Sequence, residues 1–176
     1  VGRDEAPLDI SFLSYLEDLG LGDKWRHSYV ATAHEEVRSA LGIKNSIPNA
    51  SSAVFRRPPD MPLLDDEAWL SMRVAGDWVF YLHLLRGGKI AFDPSAINFF
   101  RRYEGSTAEA TYRKDTFYKE VGFASRTVAA LYDVPWSVLE RCREGFGALY
   151  KVMVGSDESQ FDRWYDFGAV AQARQH

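Results

Sequence analysis

VAGDWVFYLHLLRGGKIAFDPSAINFFRRYEGS, residues Val74–Ser106, decides how the chain is read. Its centre, WVFYLHLLR, is apolar on almost every side of a helix, so it reads as a buried segment. A lone carboxylate, Asp77, stands at its start, and Arg101 and Arg102 stand near the far end. Gly87 and Gly88 close the helix, KIAF reads as a short strand, Asp93-Pro94 turns the chain, and INFFRRY reads as a further strand.

Working outward on the N-terminal side, LLDDEAWLSMRV starts a helix on acidic residues, where the helix dipole favours them. Before it, KNSIPNASSAVFRRPPD carries Pro48, Asn49, Pro58 and Pro59 as breakers around a strand expected at Ser52–Phe55. A helix is predicted from Trp25 to Leu41, with Gly42 ending it. Another begins at an N-cap, Asp9, carries Ile10, Leu13 and Leu16 at helical spacing, and stops at Gly20. On the C-terminal side, everything from Thr107 reads as helix. One runs through EATYRKDTFYKE and one through SRTVAALYD to Asp133. The next starts with Pro135 in its first position and carries Trp136, Leu139, Phe146, Leu149 and Met153 as a stripe. A shorter helix is expected over Gln160–Phe167. The fold class is therefore α/β and mainly helical. Its few short strands cannot close a barrel and read as completing a sheet whose other strands lie elsewhere. The natural division is 1–106 and a helical extension, 107–176.

Composition narrows the function. Hydrophobic residues make up 46% of the 176, enough for a core and too many for disorder. With 21 basic against 25 acidic residues and no basic run, a nucleic-acid interface is poorly supported. One cysteine, Cys142, excludes a disulfide framework within the chain and a cysteine-rich metal site, and fits a reducing cytoplasm. No apolar run approaches the roughly 20 residues that span a bilayer. The opening VGRDEAPLD has neither an initiator Met nor a signal pattern, so the chain is expected to be cut from something longer.

Several side chains could carry chemistry, each beside a plainer reading. Asp77, at a helix start, would receive backbone N–H groups and be ionised at neutral pH. It is either a general base or a simple N-cap. Asp65, Asp66 and Glu67 could meet a hard cation or only favour a helix start. On a strand, Arg101 and Tyr103 share a face and Arg102 points the other way; a guanidinium there can clamp a phosphate or decorate an exposed edge. Asn49 with Ser51 and Ser52 is a polar pocket wall or turn chemistry. His83, inside the apolar helix, reads as a core histidine. The aromatic tail Trp164, Tyr165 and Phe167 suits core packing or a partner surface.

Three stretches in order, IPNASSAVFRR, AGDWVFYLHLLRGGKIAF and SAINFFRRYEGST, resemble the acceptor-side half of a family-2 glycosyltransferase with the GT-A fold. The likeness covers about Ile47 to Thr107. It implies a GT-A-like sheet and an inverting transfer of a sugar from a nucleotide-sugar donor to the hydroxyl of a glycan acceptor. Asp77 would be the catalytic base, Trp78 would shape the acceptor pocket, and Arg101 and Arg102 would lie by the diphosphate, with Asn49 and Tyr103 also at the substrate. Tyr103 departs from the family's usual histidine. The family enzyme uses a divalent cation, Mn or Mg, held by an Asp-x-Asp motif in a nucleotide-binding half. That half is not found before Ile47, so this chain alone is expected to be inactive. The expected setting is polysaccharide biosynthesis in the cytoplasm, at most peripheral to a membrane, and compatible with a homo-oligomer. The alternative reading is a non-catalytic helical interaction domain.

Overall fold

A computed structural model describes residues 12–47, 49–96, 98, 107–155 and 157–174. Asp9, Pro48 and the strand expected through Arg101, Arg102 and Tyr103 lie outside the described residues, save Asn98.

The chain is mainly helical, with a small two-stranded antiparallel sheet. Helix α1, Leu13–Leu16, tightens into a 3-10 turn, Glu17–Leu19. It ends at Gly20 (φ 68°), where a left-handed residue must cap the last carbonyls. The helix expected over Trp25–Leu41 does not form as one. Lys24–Arg26 is a 3-10 turn, Tyr29–Thr32 is strand β1, Ala33–Glu36 is α2, and Val37–Leu41 is a π-helical turn. The cause is Thr32, which builds a capping box. Its hydroxyl accepts the Glu35 N–H at 3.2 Å and the Glu35 carboxylate accepts the Thr32 N–H at 2.8 Å. The box starts a helix there and releases the preceding residues to pair as a strand.

KIAF forms β2, Lys89–Phe92, and pairs with β1 in the register Tyr29↔Phe92 to Thr32↔Lys89. The Tyr29 and Phe92 rings stack at 5.5 Å on one face. Ser52–Phe55 is not a strand. Asn49 accepts the Ser51 N–H and winds Ala50–Ser52 into a 3-10 turn instead.

The acidic start behaves as read. After the 3-10 turn Pro62–Asp65, Asp66 caps α3, Glu67–Leu70, by accepting the Trp69 N–H at 3.0 Å. Helix α4, Gly76–Leu85, buries Trp78, Val79, Tyr81 and Leu82.

Five helices follow: α5, Thr107–Tyr112; α6, Asp115–Leu131; α7, Trp136–Met153; α8, Glu158–Tyr165; and α9, Phe167–Ala173. The expected boundaries shift. The chain breaks between α5 and α6, then α6 runs unbroken through SRTVAAL, because Phe117, Val121, Ala124 and Val128 make one buried stripe. Pro135 caps α7 from just outside it. The helix expected over Gln160–Phe167 is α8, and a further helix, α9, follows it after Asp166, whose φ of 53° turns the chain and whose carboxylate caps α9 at the Ala169 N–H.

Helix α6 packs against α4, α8 and α9, and a single hydrophobic core runs from Leu16 to Val170 across the 106/107 division. The tail aromatics belong to it: Tyr165 is fully buried, and Trp164 and Phe167 pack against the core. Tyr165 donates to Ser125 Oγ at 2.8 Å beside the buried Cys142. Burial pushes the Cys142 thiol up to about 11. Among the described residues no helix is long and apolar enough to cross a membrane.

At Gly122, α6 lies directly against the backbone of Tyr165. A Cβ on Gly122 would drive into the Tyr165 backbone carbonyl, which cannot swing aside. Gly122→Ala is expected to cost about 3 kcal/mol or more in urea unfolding. A loss below about 1 kcal/mol would show that α6 and Tyr165 are not held this closely.

Candidate functional site

Asp77 sits in the first turn of α4 and is half-buried. It is not the N-cap; Ala75 holds that position and offers no side chain to do the work. The Asp77 Oδ1 accepts the Trp78 N–H at 2.7 Å and the Asn45 side-chain N–H at 3.4 Å. Burial dominates its electrostatics and pushes the carboxyl above the usual range, against the opposing pull of the Trp78 and Asp77 N–H groups and Asn45. The sequence reading expected the reverse balance, with the helix start stabilising the anion.

Asn45 is oriented for this contact. Its Oδ1 accepts the Ile47 N–H at 3.1 Å, which leaves its amide nitrogen for Asp77. The neighbouring Ser46 is anchored from within. Its hydroxyl donates to Glu36 Oε1 at 3.4 Å, and Glu36, 1% exposed, also receives Lys24 Nζ at 2.7 Å and the Tyr29 hydroxyl at 3.3 Å. A few residues on, Asn49 Nδ2 donates to Asn98 Oδ1 at 2.6 Å, and Asn98 Nδ2 donates to Ser51 Oγ at 3.3 Å. The loop 45–52 therefore touches both Asp77 and the residue that leads into the Arg101–Tyr103 segment.

On the other side, the buried Glu120 of α6 accepts three N–H groups from the loop before α4, at 2.7–2.8 Å. Two buried carboxylates, Glu36 and Glu120, thus hold the two loops that meet at Asp77.

Trp78 does not line an open pocket. It is 2% exposed, its indole N–H donates to the Leu41 carbonyl at 2.7 Å, and its ring lies 6.0 Å from Phe146. It fixes α4 from below. One turn beyond Asp77, Tyr81 is 3% exposed, and its hydroxyl has no partner among the described residues. Burial and the Asp77 charge push that phenol up to about 12. Tyr15 of α1 feels the same carboxylate. His83 is half-buried, and burial, aided by Arg86, pushes its imidazole below the usual range. A surface groove of about 390 Å³ adjoins α4 at Phe80, with Phe55, Arg57 and Met61 among its walls, but Asp77 is not one of them.

Asn49 and Asp77 are thus joined through one loop, Trp78 is a core support, and Arg101, Arg102 and Tyr103 lie outside the described residues. Asn45, Glu36, Glu120 and Tyr81 went unread. Only Glu36 had an available signal, since the Thr32-x-x-Glu35 capping pattern would have placed it on a short helix. No protein family, curated protein or solved structure matches the chain.

Two variants probe the site without an activity assay. A carboxyl raised by burial binds its proton more tightly folded than unfolded, so its ionised form costs stability as pH rises past its ordinary range. Asp77→Asn is expected to raise the neutral-pH melting temperature, with the gain vanishing in acid, where Asp77 is protonated. A drop at neutral pH would make Asp77 a structural cap. Tyr81→Phe removes an unpartnered hydroxyl and is expected to leave stability unchanged or raise it by up to about 1 kcal/mol in chemical denaturation.

Proposed function

We propose that the chain is the acceptor-side part of an inverting glycosyltransferase, with Asp77 as the general base. One observation carries most weight: the loop 45–52 bridges Asp77, through Asn45, and Asn98, through Asn49. The Asn49–Asn98 contact joins the first and third of the stretches that carry the likeness to family-2 glycosyltransferases, and Asn45, two residues before the first, meets the second at Asp77. A rigid, half-buried carboxylate at the end of a packed helix suits proton abstraction, because its elevated affinity for a proton brings it closer to working pH.

In this reading Asp77 takes the proton from an acceptor hydroxyl. The oxygen attacks the anomeric carbon of the nucleotide sugar, the bond to the diphosphate breaks, and the nucleoside diphosphate leaves with the bonding electrons, inverting the carbon. Arg101 and Arg102 would meet the diphosphate charge. Phe55 and Phe80, with their rings 5.3 Å apart beside the groove, offer apolar faces to a glycan. The pair β1–β2 would complete a GT-A-like sheet whose remaining strands belong to an upstream nucleotide-binding half.

The divalent cation of that family does not fit the residues described. No three of them converge as ligands, and Asp66 spends its carboxylate on the Trp69 N–H.

In an enzyme that contains the upstream half, Asp77→Asn is expected to lower the turnover of sugar transfer about 10²- to 10⁴-fold with the donor KM little changed. Radiolabelled transfer from the nucleotide sugar measures this. Turnover near wild type would remove Asp77 from the mechanism.

A further inference from the structure

We infer that Glu120 is a positioning residue for Asp77, which makes the C-terminal helices a working part of the transfer centre and not an appended module. The inference rests on the reading of Asp77 as the base.

Glu120 lies on α6 and is 7% exposed. Its Oε1 accepts the Arg73 N–H at 2.8 Å; its Oε2 accepts those of Val74 at 2.7 Å and Ala75 at 2.8 Å. Among the described residues it has no ion-pair partner, so backbone dipoles alone offset the cost of burying the charge.

The clamp holds the entry to the helix and not its first turn: the three N–H groups belong to Ala75, at the N-cap position, and to the two residues before it. A helix start normally takes its cap from a Ser, Thr, Asp or Asn at the N-cap. Ala75 cannot supply one, and Asp77 bonds to the N–H of the next residue rather than to the preceding turn. The loop before α4 is fixed by a residue far away in the sequence, on a helix that also packs against α4. Ala75 is two residues from Asp77, so any slip of the loop over α6 moves the carboxylate directly. Misplacing a catalytic group by about 1 Å can cost on the order of 10²-fold in rate.

Glutamine keeps the size of Glu120 but turns one acceptor into a donor that faces N–H groups. In the Glu120→Gln chain, ¹³C-carboxyl NMR is expected to show Asp77 titrating closer to the ordinary carboxylate range, since a loosened entry to α4 admits water to it. Tyr15 and Tyr81, which feel its charge, stay neutral across that titration. In the enzyme with its upstream half, the acid limb of the kcat profile should move the same way, with kcat down about 10- to 100-fold and the donor KM unchanged. An unmoved Asp77 titration in a folded Glu120→Gln chain overturns the inference.

Should that variant not fold, amide hydrogen exchange on the unaltered chain decides. Slow exchange at Arg73, Val74 and Ala75 supports the clamp, and loop-like exchange refutes it. If Asp77→Asn keeps full transfer while the Asp77 titration still responds to Glu120→Gln, the base assignment fails and the clamp stands.

Discussion

Three backbone N–H groups, those of Arg73, Val74 and Ala75, converge on one buried carboxylate, and much of the molecule's order follows from that convergence. Hydrogen bonds to a charged group contribute about 1.5–3 kcal/mol each, so three of them are of the size needed to hold a carboxylate away from water. Glu36 solves the same problem differently. It recruits Lys24, a phenol and the Ser46 hydroxyl, and so ties the start of the 45–52 loop to β1 and α2. Asp77 stands where these two anchored loops meet. The two scaffold carboxylates each accept three side-chain or backbone donors across both oxygens, whereas the half-buried Asp77 receives the Trp78 N–H and the Asn45 amide on one.

That pattern separates what could be read from the sequence from what could not. The helix WVFYLHLLR, the strand KIAF, the Asp66 cap and the helical character after Thr107 follow from periodicity and punctuation, which act over a few residues. The misread Trp25–Leu41 stretch shows the limit. Its apolar spacing suited a helix, but pairing with Lys89–Phe92, distant in sequence, drew Tyr29–Thr32 into a strand. Asp77 and Asn49 were legible because each sits at a breaker or a helix start. Their joining through Asn45 and Asn98 was not, since side-chain contacts across loops leave no periodic trace. Glu120 is the clearest case. In sequence it is one charge on an amphipathic helix, and its role exists only once α6 lies against the loop before α4. Trp78 was misjudged for the opposite reason: an aromatic beside a candidate base suggests a sugar platform, yet its indole serves the Leu41 carbonyl.

The shared core gives the functional reading its mechanical sense. Tyr132 of the segment after α6 donates to the Leu82 carbonyl of α4 at 2.6 Å, Arg141 of α7 reaches the Leu19 carbonyl at 3.0 Å, and Phe146 meets Trp78. The segments after Thr107 therefore brace α4 at Trp78 and at Leu82, in addition to the clamp at its start, and tie down the turn that follows α1. A base must stay within hydrogen-bond reach of its substrate, and sites built on braced helices hold such geometry better than sites on loops.

Cys142 carries a practical consequence. The sole thiol of the chain is sealed in the interior and has little thiolate character at neutral pH. Surface-directed maleimide or iodoacetamide reagents will find nothing to react with while the protein is folded. A cysteine introduced anywhere on the exterior can then carry a fluorophore or spin label as a unique probe, without first deleting the native one.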